Sequence, residues 1–343
     1  MKTTLIAICI FLFNLSLFSQ FVTTHPEIPR IDVHTHGGKD HEGIANYLEL
    51  REHMLSNNKL DIAMLINLND ETAIDSITTA SNGRIMTCLN DYKPFEGLTH
   101  SPEDIVSSQS LGYAGYKIWH GSYTRQFKVD DEVIKYFDDL AHEPVLTAME
   151  EIGFPLASTH IADPNGPFWD RGKWAEDPVE FWRQILGLER VLARHPNLNV
   201  VVAHCAWLIC QDAQIDFLRY LLSTYTNLNV DLAATFQYFH LVDHNNLRDF
   251  IIEYSDRILY GTDISTIQNK ADIPNYAERY SRTFRFLETE EIVEGGFFGM
   301  NPVKGINLPK EVLEKIYYKN ALRIYPGLAK KMDTLGYSVS YDI

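Results

Sequence analysis

The sequence predicts an α/β chain folded as a (β/α)8 TIM barrel, in a single domain with a C-terminal helix. Three observations predict it. Apolar strand-like runs alternate with helical patterns, the runs number eight, and metal-capable or acid–base residues fall at the ends of five of them. A length of 343 residues with 45% hydrophobic and 22% charged residues is ordinary globular composition and suits one such barrel.

The runs, in order, are RIDVHTH (30–36), LDIAMLIN (60–67), RIMTCLN (84–90) and GYAGYKIW (112–119). They continue with GFPLASTH (153–160), LNVVVAHC (198–205), LNVDLAA (228–234) and RILYGTD (257–263). Their near-continuous apolar character fits strands buried on both faces. Between them lie helical segments such as 178–195 and 211–225. No repeat, Gly/Ser linker or low-complexity stretch divides the chain.

The first residues, MKTTLIAICIFLFNLSLFSQ, read differently. A lysine at position 2 precedes an apolar run from Leu5 to about Phe18, too short for a comfortable membrane span. It reads as a signal peptide over residues 1–19, leaving a barrel domain over 20–343 and an exported protein, periplasmic or secreted. An uncleaved anchor is the alternative, and stable membrane insertion is not expected. The formal net charge of −16 offers no basic stripe, so nucleic acid is not an expected partner. Composition leaves homo-oligomerisation open. Cys88, Cys205 and Cys210 remain after the leader, too few for a disulfide framework, and Cys88 and Cys205 read as small buried hydrophobes.

Position within the runs carries the functional signal. A strand has a side-chain period of two, so Asp32, His34 and His36 share one face. Two imidazoles on one strand face can grip one metal ion, or can fall two apart by accident; the pair alone does not decide. His34 and His36 end the first run, Lys117 lies near the end of the fourth, His160 ends the fifth, His204 the sixth and Asp263 the eighth. In a barrel these are the C-terminal strand ends, where active sites are built.

With IDVHTHGG, GYKIW, PLASTHIADP, NVVVAHCAW, NVDLAA, RILYGTDI and LPKEVLEKIYYKNALRIYP, the chain resembles the amidohydrolase superfamily over about residues 28–326. The likeness is strongest to its amidohydrolase-related (amidohydrolase 2) branch of hydrolases, lactonases and decarboxylases. The resemblance implies a barrel with one divalent metal ion, Zn²⁺ by its ligand chemistry, held by His34, His36, His160 and Asp263. One open position holds a water, whose pKa the ion lowers from 15.7 toward about 7. Asp263 would move its proton to the leaving group, and His204, beside the water, would orient it and stabilise an oxyanion. Core histidines at 160 and 204, and a turn or helix cap at Asp263, are the structural alternatives.

Lys117 has three readings: a free ammonium binding a substrate carboxylate or carbonyl, a carboxylated bridge between two metals, or a structural ion pair. His120, Tyr123 and Arg125 follow it and are expected around the same pocket. The loop IADPNGPFWDRGKWAEDP (161–178) carries Phe168, Trp169, Arg171, Lys173 and Trp174. It suits a lid over a small, anionic organic substrate, or a packed cover. Asp32, one layer deeper, is read as a partner that orients a ligand. His41, His100 and His240 are expected at the surface.

The leading function is a metal-dependent hydrolase of an ester, lactone or amide-like bond. A decarboxylase of the same branch is the alternative, with Lys117 and Arg125 suited to a substrate carboxylate. A phosphoesterase of the polymerase-and-histidinol-phosphatase type also opens with HxH, but it usually ends in DxH, whereas Ile264 and Ser265 follow Asp263 here. A binding protein with a vestigial site would have lost ligands that this sequence keeps.

Overall fold

The computed structural model describes residues 21–37, 40–68, 74–92, 97–121, 134–164, 178–294 and 301–339. The strands are β1 (Arg30–His36), β2 (Ile62–Asn67), β3 (Ile85–Thr87), β4 (Leu89–Asp91), β5 (Tyr116–His120) and β6 (Leu156–Ile161). They continue with β7 (Val200–Val202), β8 (Leu228–Asp231), β9 (Ile258–Leu259) and β10 (Ile264–Ser265). All pair in parallel, in the orders β10-β1-β2-β3 and β4-β5-β6-β7-β8-β9. A short antiparallel pair, β11 (Ile292–Val293) with β12 (Val303–Lys304), lies apart.

Two junctions carry the ladder around the barrel. The third run bends at Cys88: β3 pairs with β2, β4 with β5, and Cys88 itself donates to Asn67 O at 2.9 Å. The eighth run bends at Tyr260–Asp263, where Val33 N donates to Tyr260 O at 3.0 Å and Asp263 N to His34 O at 2.7 Å. β9 therefore pairs with β8 and β10 with β1. Gly261 permits this closure, since a Cβ there would stand 2.9 Å from His34 Cβ.

The sixth run departs from expectation. The strand ends at Val202, and His204 stands in the turn beyond it. His204, Cys205, Ala206 and Trp207 are all left-handed, with φ of 58°, 51°, 51° and 60°. For residues with a Cβ this costs roughly 1–2 kcal/mol each. Hydrogen bonds offset the cost: His204 N to Asp231 Oδ1 (2.9 Å), Cys205 Sγ to Asp231 O (3.2 Å) and Trp207 Nε1 to Ala162 O (3.1 Å).

Helices such as Pro178–Arg194 and Asp212–Thr224 pack buried faces onto the sheet, close to the expected spans. The closing helical stretch Lys310–Ile324 includes a π turn at Lys315–Lys319, within which Ile316 O accepts from Tyr260 N at 2.9 Å. Cys88, Cys205 and Cys210 are buried free thiols.

At the N-terminal face, fully buried Arg30 donates to Glu288 Oε1 (3.0 Å) and Thr23 Oγ1 (2.7 Å), and lies 5.4 and 5.1 Å from the Phe284 and Tyr317 ring centroids. Glu288 also accepts from Thr23 Oγ1 (2.5 Å), Thr24 N (3.2 Å) and Tyr317 (3.1 Å). Removing one member of a buried ion pair leaves an uncompensated charge. Glu288→Gln should therefore lose about 3–5 kcal/mol in urea unfolding, while Arg30→Met with Glu288→Leu should lose less. Equal losses would show that the pair is not coupled.

Candidate metal centre at the mouth of the barrel

β1 delivers His34 and His36 to one face at the C-terminal end of the barrel. His34 is 1% exposed, and its Nδ1 lies 2.9 Å from Asp231 Oδ2. Its Nε2 faces Asp263 Oδ1 at 3.4 Å. His36 Nε2 faces the same oxygen at 3.2 Å, while its Nδ1 lies 3.1 Å from the Tyr92 hydroxyl. Asp263 is half-buried and left-handed, with φ 64°, which turns its carboxylate back over β1. Burial pushes that carboxyl up, but hydrogen bonds from His34 and His36 outweigh it and hold it well below the usual range.

His204 sits at the centre of the group. Its ring lies 4.8 Å from that of His34 and 4.9 Å from that of His160. Burial, then the neighbouring His34 and His160, pull its pKa well below normal, so the ring is neutral. A neutral imidazole has one N–H. At 2.8 Å from Ala233 O, Nδ1 must carry it, and Nε2 is bare. That bare nitrogen faces His160 Nδ1 at 3.2 Å, while His160 Nε2 lies 2.9 Å from Asp163 Oδ1 and donates to it. Two lone pairs then face each other. A metal ion held between them would relieve that contact.

Burial lowers the His34 pKa, yet the Asp231 carboxylate outweighs this and the net shift is upward. His34, His204 and Asp263 each offer a ligand atom, all within 4.8 Å of one another. Imidazole nitrogens with carboxylate oxygens are the donor set of Zn²⁺-type ions, so these residues fit such a group.

The structure brings all five sequence-identified residues His34, His36, His160, His204 and Asp263 to this mouth. His204 offers a nitrogen beside those of His34 and Asp263, and His160 reaches the group through His204. Lys117 is buried, and its Nζ donates to Ser158 O. Burial lowers its pKa to about 8, against the opposing pull of Asp231 and Asp263. His120 does not line the mouth. An odd spacing from Lys117 puts it on the other strand face, with its ring 5.4 Å from Phe137 and 5.9 Å from His142. Trp119, at the even spacing, packs 5.4 Å from His160 instead. Trp207 stacks on His204 at 4.4 Å. Arg125 and Trp169, with Tyr123, Phe168, Arg171, Lys173 and Trp174, lie outside the described residues.

Asp32 orients the site from one layer below. Its Oδ1 accepts from His34 N (3.2 Å) and Thr262 N (3.1 Å), and its Oδ2 from Thr262 Oγ1 (2.5 Å) and Tyr280 (2.7 Å). Burial still pushes the carboxyl up to about 7. Sequence reasoning gave no role to Asp231, Asp163, Tyr92, Trp119 or Trp207. The signal for Asp231 was present, since NVDLAA puts an aspartate at a strand end.

The profile of the amidohydrolase family matches residues 119–327, more than half of the chain. No curated protein matches. Among solved structures, an uncharacterised TIM-barrel protein from Bordetella bronchiseptica is similar at TM-score 0.53 and 14% identity, over 89% of this chain and 99% of that one. An amidohydrolase from Burkholderia multivorans gives TM-score 0.44 and 13% identity, over 86% and 98%. An amidohydrolase 2 from Bifidobacterium longum subsp. infantis gives 0.44 and 12%, over 87% and 98%. The first likeness supports the barrel fold.

Asp231 fixes the His34 tautomer through Nδ1 and the His204 backbone through its N–H. Asp231→Asn keeps the shape and removes the charge. Loss of such a partner typically costs 10–100-fold in metal affinity. Zinc affinity, read by competition with a chromogenic chelator, should fall by about that factor while the circular dichroism spectrum holds. Unchanged affinity would strip Asp231 of this role.

Proposed function

Because the chain belongs to the amidohydrolase family, we propose that it is a metal-dependent hydrolase cleaving an ester, lactone or amide-like bond of a small organic substrate. The observation that carries this reading is the convergence of His34 Nε2 and His36 Nε2 on Asp263 Oδ1, with His204 beside them, at the barrel mouth. His34, His36, His160 and Asp263 would hold one divalent ion, with Zn²⁺ suited to the donors. When bound, such an ion lowers the pKa of a water and polarises a carbonyl.

The chain's own groups do the rest. Asp263, ionised and half-buried, takes a proton from the attacking water and returns it to the leaving group. His204 Nε2, which faces His160 Nδ1 at 3.2 Å, would accept a hydrogen bond from that water once His160 Nδ1 is engaged by the ion. His204 stabilises an oxyanion only after it has itself taken up a proton, because its N–H is committed to Ala233 O. Trp119 and Trp207 wall the mouth and limit water access. Lys117, as an unmodified ammonium, with Arg125 and Trp169, would favour an anionic substrate.

The test is metal analysis of the purified protein beside a panel of lactones, esters and aromatic acids in oxygen-labelled water. Label in the acid product is expected. Carbon dioxide release without label would give the decarboxylase, and full activity in metal-free protein would overturn the reading. His34→Ala should lose the metal. His204→Asn should keep it while turnover falls about 10²–10⁴-fold. Equal metal loss in both variants would make His204 a ligand.

Export is proposed from the leader. Among the described residues, no helix is long and apolar enough to cross a membrane. A cut near Ser19 would leave Thr23 and Thr24 on Glu288. Mass spectrometry of protein from the native host should find an N-terminus near Gln20. Intact Met1 in a cytosolic fraction would refute it.

A further inference from the structure

We propose that Tyr92 is a positioning residue that holds His36 in its Nδ1–H tautomer and so turns the Nε2 lone pair toward the candidate metal centre; this rests on the metal reading above. Tyr92 follows the last residue of β4, Asp91. Its hydroxyl lies 3.2 Å from Leu68 O and 3.1 Å from His36 Nδ1. A phenol has one hydrogen to give, and a backbone carbonyl can only accept. Donated to Leu68 O, that hydrogen leaves the phenol oxygen facing Nδ1 as an acceptor. The imidazole is then the donor at Nδ1, and the Nε2 lone pair, 3.2 Å from Asp263 Oδ1, is what a metal ion would take.

The same device recurs around the mouth with different acceptors. His34 Nδ1 is held by a carboxylate, Asp231, and His204 Nδ1 by a backbone carbonyl, Ala233 O. His36 has most need of it, because its side chain is 27% exposed against 1% for His34. A more exposed ring can rotate, and can place its proton on Nε2, where it would bond Asp263 and compete with a metal ion. The ring of Tyr92 packs beside Trp119 and Ile134, so the hydroxyl alone is the variable part.

Tyr92→Phe removes that hydroxyl and keeps the packing. Zinc affinity measured by chelator competition should fall about 10–100-fold, with the melting temperature and circular dichroism of the native protein retained. In a His36→Ala background, Tyr92→Phe should cause no further loss. Unchanged affinity, or the same loss in both backgrounds, would overturn the proposal. Nitrogen NMR of the metal-free native protein gives a readout that needs no variant. A proton on His36 Nδ1 is expected, and a proton on Nε2 would refute it. If His34→Ala bound zinc as tightly as the native protein, the metal reading itself would fail, which is a distinct result.

Discussion

The carboxylate of Asp231 is the interaction on which the mouth of the barrel depends. It sits at the end of β8 and reaches in two directions at once. One oxygen meets the His34 imidazole on β1, and the other accepts from the backbone N–H groups of His204 and Ala233. Burial pushes its pKa up, yet the neighbouring His34 and His204 outweigh this and hold it well below the carboxylate range. A permanent negative charge with no direct access to solvent therefore lies under the imidazole cluster. It sets the orientation of two rings and favours positive charge among them.

That anchor explains why the strain sits where it does. Left-handed residues other than glycine gather toward the C-terminal side of the sheet: Ser158 within β6, then Ala162, the run His204 to Trp207, Ala234 and Asp263 beyond strand ends. Such conformations persist only where surrounding bonds over-determine them. Here a buried carboxylate, a stacked indole and backbone carbonyls do so. Ahead of β2 and β3 the left-handed residues stand singly, Lys59 as the cap of helix His41–Asn58 and Asn82 in a turn. The polar groups of the N-terminal face include the buried Arg30–Glu288 network, which serves stability.

Much of this was legible in the sequence, for identifiable reasons. Strand periodicity placed His34, His36 and Asp32 on one face, and alternation of runs with helical segments gave the barrel. The ends of runs three, six and eight were not legible. Cys88 looks like any strand residue, and only its two different neighbours reveal the bend. His204 looks like a strand terminus, because a left-handed turn without glycine has no compositional mark. The pairing of His36 with Tyr92, or of His160 with Asp163, depends on side-chain direction at strand ends. His120 was misplaced for the opposite reason: nearness to Lys117 in sequence outweighed the parity that turns it away.

The Arg30–Glu288 contact joins positions 258 residues apart. Arg30 opens the first strand, so it leaves the ribosome early, while its counter-ion leaves near the end of synthesis. Until then the guanidinium has only its sequence neighbours Thr23 and Ile28 as partners and lacks its counter-ion. Contacts of such long sequence separation make loop closure slow. The two ends of the chain are thus tied together at the N-terminal face, and that face is complete only when residues near 288 are in place.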